Sequence, residues 1–445
     1  MKIKLLLLSL FACVGMTACS GSDSSAKDTT VSTSTATSAA TTSATASLTE
    51  DISDTATTTT STTTTTTATE PTTTTTTSEA TTTATEATTT VTTAQTTTAT
   101  TKKPQQNAAS LEKRAKEILS EMTLEEKVGQ MFIARCPQEN AASKVSEYKL
   151  GGYILFKEDF TGKTKEQVIS DIESYNAKAD IPLFIGVDEE GGMVNRVSTN
   201  PNLRRYPFLS PQELYAQGGF PLVKSDTKEK CELLKSLGIN LNFAPVCDVS
   251  QNKNDFIYAR TFGKDASQTA LYVQNVVSVM KSQKVGSVLK HFPGYGNNED
   301  THTGIAYDNR SYENFLENDF LPFEAGIENG LGMVMVSHNI VNCMDSQYPA
   351  SLSPKVHDIL RNELSFDGVI ITDDLVMDGI RDFVSDDMAA VIAVEAGNDM
   401  LCCSDFGLQI PTVLEAVRSG RISEERIDES VMRILMLKLE LGIIE

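Results

Sequence analysis

The chain has 445 residues, a formal net charge of −21, four histidines, eight cysteines and no tryptophan. The acidic balance argues against a nucleic-acid partner, and the length leaves room for a full-sized α/β domain. The cysteines follow no zinc-type spacing and are too sparse for a disulfide scaffold.

Met1–Lys4 is short and basic, and Leu5–Val14 is an apolar run too short to span a membrane as a mature helix. Met16-Thr17-Ala18 places small residues before Cys19. Residues 1–18 therefore resemble a bacterial lipoprotein signal, with Cys19 as the lipidated residue. An ordinary secretory signal cleaved nearby is the alternative, and either one exports the protein. Residues 19–108, dominated by Thr, Ser and Ala, are too poor in apolar side chains to offset their ordering entropy and read as a disordered Thr-rich stalk. Of the remaining cysteines, Cys136, Cys231, Cys247, Cys343, Cys402 and Cys403, several lie in apolar runs where they act as small hydrophobes.

Residues 109–445 form the expected catalytic domain. Eight short apolar, β-rich runs follow one another: Met131–Ala134, Gly152–Phe156, Leu183–Val187, Leu241–Val246, Gly286–Leu289, Met333–Val336, Gly368–Ile371 and Asp399–Cys402. Helix-compatible stretches separate most of them, among them Thr123–Gln130, Lys165–Ala177, Asp226–Leu237, Ser267–Gln283, Tyr312–Asn329 and Pro354–Leu364. A last helix is predicted over Ser423–Leu441, with Ile427, Val431, Ile434 and Leu435 at helical spacing. Near-continuous apolar strands alternating with helices predict a single (β/α)8 TIM-type barrel, with a doubly wound open sheet as the alternative. The polar residues favour the barrel. Asp188-Glu189-Glu190, Asp248, Lys290-His291, Ser337-His338-Asn339 and Thr372-Asp373-Asp374 each follow a strand, and in a barrel those ends surround one mouth.

Asp373, directly after its strand, is placed to attack a sugar's anomeric carbon. Asp374 points differently because side chains alternate along a strand, and it is expected to be structural or to cap the next helix. His302 is the candidate acid/base, since imidazole titrates near neutrality. Asp300, two residues earlier, is its orienter, by the logic of a catalytic dyad. Asp188 suits bidentate binding of sugar hydroxyls, and Arg260 and Lys290 suit donation to hydroxyls or a carbonyl, with ion pairs around the rim as the alternative for each. His338 is equally compatible with a core hydrogen bond, and His357, inside a predicted helix, is given no role.

The segments Gly151–Phe156, Gly186–Gly192, Asn242–Asp248, Arg260–Gly263, Lys290-His291-Phe292-Pro293-Gly294 and Ile371–Leu375 together resemble glycoside hydrolase family 3, in its single-domain β-N-acetylglucosaminidase branch. The resemblance covers essentially the whole predicted domain. It implies Asp373 as nucleophile, His302 as general acid/base paired with Asp300, and Asp188, Arg260, Lys290 and His291 as binders of the first sugar. The Asp-x-His pair is the mark of that branch, whereas β-glucosidase-like members take a carboxylate from a second domain, for which the chain beyond the last helix leaves no room. Tyr295 stands where the branch often has a second His, Met193 where the family often has Arg, and Thr301 where Ser is common. With no Trp, sugar stacking falls to Tyr, Phe or Met.

The resulting expectation is a surface-tethered, monomeric, retaining exo-β-N-acetylglucosaminidase that needs neither metal nor organic cofactor and acts on GlcNAc-terminated peptidoglycan fragments or chitin-type sugars. A phosphorylase or β-glucosidase on the same barrel is the first alternative, and a non-catalytic wall-binding lipoprotein the more distant one.

Overall fold

The computed structural model describes residues 103–445 apart from His302 and Thr303; the signal, Cys19, nearly all of the stalk and the candidate acid His302 lie outside the described residues. The eight expected strands form in order. They are β1 (Phe132–Arg135), β2 (Gly152–Leu155), β3 (Phe184–Val187), β4 (Leu241–Asn242), β5 (Gly286–Phe292), β6 (Gly332–Val336), β7 (Val369–Thr372) and β8 (Leu401–Cys403). All are parallel, in the sheet order β8-β1-β2-β3-β4-β5-β6-β7. The ring closes between β7 and β8, where Ile371 bridges Met400 and the Thr372 amide donates to the Met400 carbonyl at 3.2 Å. Every residue of β2, β3, β5 and β7 is buried. That is why these strands read as continuous apolar runs: they face a filled interior on one side and helices on the other.

Helix starts follow local chemistry. Thr123, Thr164 and Ser210 each form a reciprocal capping box with the residue three positions on, Glu126, Gln167 and Glu213. The last helix runs Glu424–Leu441 behind the Ser423 cap, and Ile427, Val431, Ile434 and Leu435 are fully buried.

Several boundaries differ from expectation. β4 is regular only over Leu241–Asn242, after which the pairing with β5 is irregular and resumes where Val246 bridges Lys290. The helix expected over Asp226–Leu237 is the second half of Pro211–Ser236, which kinks at Gly219 (φ 60°) just before Pro221. The segments predicted as single helices from Tyr312 and Pro354 each contain a π turn, at Phe315–Asp319 and Ile359–Glu363. The first described helix begins at Lys103. The six cysteines of this region are free thiols, five of them buried.

One buried charge stands apart from the mouth. Lys438, fully buried, donates to Gln130 Oε1 at 2.7 Å and to the Gly151 carbonyl at 3.0 Å, beneath the start of β2. Burial depresses its pKa to about 7, against roughly 10.4 for an unfolded lysine. The unfolded chain therefore binds the extra proton between these values, and folding stability rises with pH across that window at up to about 1.4 kcal/mol per unit. Denaturant midpoints at pH 7.5 and 9 are expected to show the wild type about 1–2 kcal/mol more stable at the higher pH, with the difference abolished in Lys438→Met. An equal pH response in the two proteins would refute it.

Candidate active site

The residues that follow the strands meet at one end of the barrel. Lys290 and His291 lie near the C-terminal end of β5, Asp188 and Glu190 follow β3, Asp373 follows β7, and Arg260 sits on the 3-10 turn Tyr258–Arg260. Asp188, Arg260, Lys290, His291 and Asp373 all line a cavity of about 480 Å³, a size suited to a small ligand. A larger cavity of about 620 Å³ opens at the opposite, N-terminal ends of the strands among Gln130, Leu150, Ile181 and Ile443, and none of the strand-end acids or bases reaches it.

The mouth is organised by ion pairs. The Lys290 ammonium lies 2.7 Å from Asp188 Oδ1 and 2.6 Å from Glu190 Oε1. Arg260 grips the same Glu190 through both carboxylate oxygens, at 3.1 and 2.8 Å. Burial alone would raise the Glu190 carboxyl, but Arg260 and Lys290 outweigh it and hold the group below the usual carboxylate range. Burial would likewise depress Lys290, yet Asp188 and Glu190 outweigh it and raise the ammonium above its ordinary value. Glu190 and Lys290 are therefore both charged at neutral pH.

His291 is held from both sides. Its Nδ1 is 2.8 Å from Asp248 Oδ2, and its Nε2 is 3.3 Å from an Arg260 amino group. A guanidinium only donates, so Nε2 accepts and the ring proton resides on Nδ1, donated to Asp248. Asp248 also receives the amides of His291 and Tyr295, at 3.2 and 2.8 Å. Glu189, fully buried, takes three amides of the next loop, from Arg196, Val197 and Ser198.

The two aspartates after β7 both line the mouth cavity but differ in their partners. The Asp374 carboxylate is occupied by the Val376 amide and by the amide and hydroxyl of Ser404, so it ties the loop after β7 to the loop after β8. Asp373 lines the cavity, with one carboxylate oxygen also receiving the Asp374 amide at 2.9 Å. His338 is buried between the Ser351 hydroxyl (2.7 Å) and the Asp374 carbonyl (3.0 Å), which is the core hydrogen-bonding role weighed for it. His357 is buried in the helix Pro354–Asp358, outside the mouth cavity.

Tyr295 is the hinge pin of the loop that carries Asp300. Its ring packs edge-on against His291 at 5.2 Å, and its hydroxyl meets Thr301 Oγ1 at 2.6 Å. Burial, and after it the negative charge of Asp373, raises its pKa, so it remains a neutral phenol. Asp300 is half-buried beside the buried Thr301. Gly294 has φ +122°, and a Cβ there would lie 2.3 Å from Asp319 Oδ1, so glycine is required for close packing on the Arg310–Asp319 ion pair.

Sequence reasoning brought Asp188, Arg260, Lys290, His291 and Asp373 to the mouth. It placed Glu190 and Asp248 at the mouth as well but gave them no role, and they are the partners that hold the others. Neither residue type nor spacing distinguishes a structural acid from a sugar-binding one.

Residues 123–437 match the model described as the glycosyl hydrolase family 3 N terminal domain. The chain is 30% identical over 327 residues to "Beta-hexosaminidase A" of Pseudoalteromonas piscicida, covering 67% of this chain and 54% of that protein. It is 34% identical over 276 residues to "Beta-hexosaminidase" of Nitrosomonas eutropha, covering 59% and 76%. Among solved structures it resembles the family 3 β-N-acetylglucosaminidase from Paenibacillus sp. FPU-7, with 33% identity, a TM-score of 0.68 and coverage of 72% and 63%. The chain thus spans little more than half of the first of these relatives.

The geometry makes Glu190 the common counter-ion of the buried Lys290 and the half-buried Arg260. Glu190→Ala is expected to lower stability by about 3–5 kcal/mol, because it leaves those cations facing each other. A denaturant midpoint within experimental error of wild type would contradict the pairing.

Proposed function

The chain belongs to glycosyl hydrolase family 3, and from that premise we propose that it is a retaining, exo-acting β-N-acetylglucosaminidase. Asp373 attacks the anomeric carbon and displaces the leaving oxygen, which takes a proton from the His302 imidazolium. Water then hydrolyses the glycosyl-aspartate while His302 accepts its proton, and two inversions retain the configuration. Asp300 orients His302 and stabilises its charged form.

The observation that carries this reading is the convergence of Asp373 with Asp188, Lys290, Arg260 and His291 in one cavity. Its fixed donors and acceptors suit a small polyhydroxylated ring, and its Asp373 carboxylate faces that space. Lys290, Arg260 and Asp188 are oriented before substrate arrives, so little reorganisation accompanies binding. In this reading the substrates are GlcNAc-terminated fragments of peptidoglycan or chitin-type oligosaccharides. The protein acts outside the cell, tethered through lipidated Cys19.

Release of 4-nitrophenol by the full chain tests the reading. Activity is expected on the β-N-acetylglucosaminide over the β-glucoside, independent of phosphate, with Asp373→Ala lowering kcat by at least about 10³-fold. Preference for the glucoside, or formation of GlcNAc-1-phosphate when phosphate is added, would replace it with one of the alternatives on this barrel. His302→Ala is expected to lose about 10²–10⁴-fold on a disaccharide and much less on an aryl glycoside whose leaving group needs no proton. Equal losses on the two would remove His302 as the acid.

A further inference from the structure

Arg135 is the last residue of β1, and it turns outward after three buried neighbours, Phe132, Ile133 and Ala134. Its side chain lines the mouth cavity. The guanidinium carbon lies 4.3 Å from the centroid of the Phe156 ring, and Arg196 approaches the same ring at 5.5 Å. The other cations of the cavity are matched by acids: Lys290 by Asp188 and Glu190, Arg260 by Glu190, and Arg196, more loosely, by Asp188 at 3.8 Å. Among the described residues Arg135 has no carboxylate within ion-pair distance, and it is exposed. In a chain of net charge −21, a guanidinium at a pocket mouth without an acidic partner is a departure from the surrounding chemistry.

Phe156 supports the Arg135 guanidinium at the cavity through a cation–π contact, and a guanidinium presents its N–H donors along a planar edge. Such an edge pairs with a planar oxyanion through two parallel hydrogen bonds. Lys290 and His291 are the buried lining of the cavity, whereas Arg135 is exposed at its rim. In an exo-acting pocket the cleaved sugar occupies the deep part and the leaving group remains at the rim. We propose that Arg135 is a specificity-determining residue that binds a carboxylate carried by the leaving group. This rests on the N-acetylglucosaminidase reading and deepens it, by selecting acidic over neutral leaving groups.

Inorganic phosphate presents the same oxyanion chemistry, so the test has an arm for each. Wild type, Arg135→Gln and Arg135→Lys full-length chains are compared on N-acetylglucosaminyl-β-1,4-N-acetylmuramic acid and on its methyl ester, which keeps the size and removes the charge. Wild type is expected to favour the acid by about tenfold or more in kcat/KM, chiefly through KM. Added salt should erode the preference, because a rim-exposed pair is screened. Arg135→Gln is expected to bring the acid-to-ester ratio to about one, and Arg135→Lys to keep part of it. A wild-type ratio of one, or a ratio that survives in Arg135→Gln, overturns the proposal. So does phosphate-dependent formation of a sugar phosphate from the 4-nitrophenyl glycoside that is lost in Arg135→Gln, since it would give Arg135 to the incoming nucleophile. If the wild type turns over the 4-nitrophenyl N-acetylglucosaminide but does not distinguish acid from ester, only this inference fails. If it turns over no N-acetylglucosaminide, the functional reading fails and takes the inference with it.

Discussion

The mouth of the barrel depends on one buried ammonium. Lys290, only 2% exposed, cannot remain charged in that setting without counter-charges. Asp188 and Glu190 supply them from the loop after β3, and Arg260 completes the cluster from the turn Tyr258–Arg260. Three chain segments far apart in sequence are thereby locked together. From Arg260 the constraint passes to His291, then to Asp248, and from Asp248 to the Tyr295 amide. Tyr295 in turn holds Thr301, beside Asp300. The surface of the mouth is therefore held by the chain's own contacts.

The cluster also sorts the charges by depth. Deep in the cavity each cation faces an acid, and Asp374 is absorbed by Ser404 and the backbone. Asp373 lines the cavity beside it. At the rim, Arg135 lies over Phe156, and among the described residues no carboxylate forms an ion pair with it. A neutral, hydrogen-bonding sugar suits the first environment and an anionic group the second.

Most of the barrel was legible because parallel strands buried on both faces leave long apolar runs, and a polar residue at the end of such a run marks the mouth. β2, β3 and β7 were located to within one residue for this reason. What escaped was set by tertiary context. The half-helix before Pro221 is hidden by Gly218-Gly219, which the structure absorbs in a kink. The π turns at Phe315–Asp319 and Ile359–Glu363 leave the apolar spacing nearly helical and so give no local signal. In the site, residue type showed which side chains reach the mouth but not which acid neutralises which base, because that pairing joins residues such as Glu190 and Lys290 from different strands. Arg135 gave no signal in the pattern, since a charged residue ending a strand is ordinary until its neighbours are known.

The central claim is that Asp373 becomes glycosylated during turnover. The most direct measurement is to react the full chain with 5-fluoro-β-N-acetylglucosaminyl fluoride, whose fluorine slows hydrolysis of the intermediate, and to locate the adduct by peptide mass mapping. A single glycosyl adduct on Asp373, released on standing as activity returns, is the predicted result. An adduct on another carboxylate, or turnover of the reagent with no covalent species formed, would contradict the account.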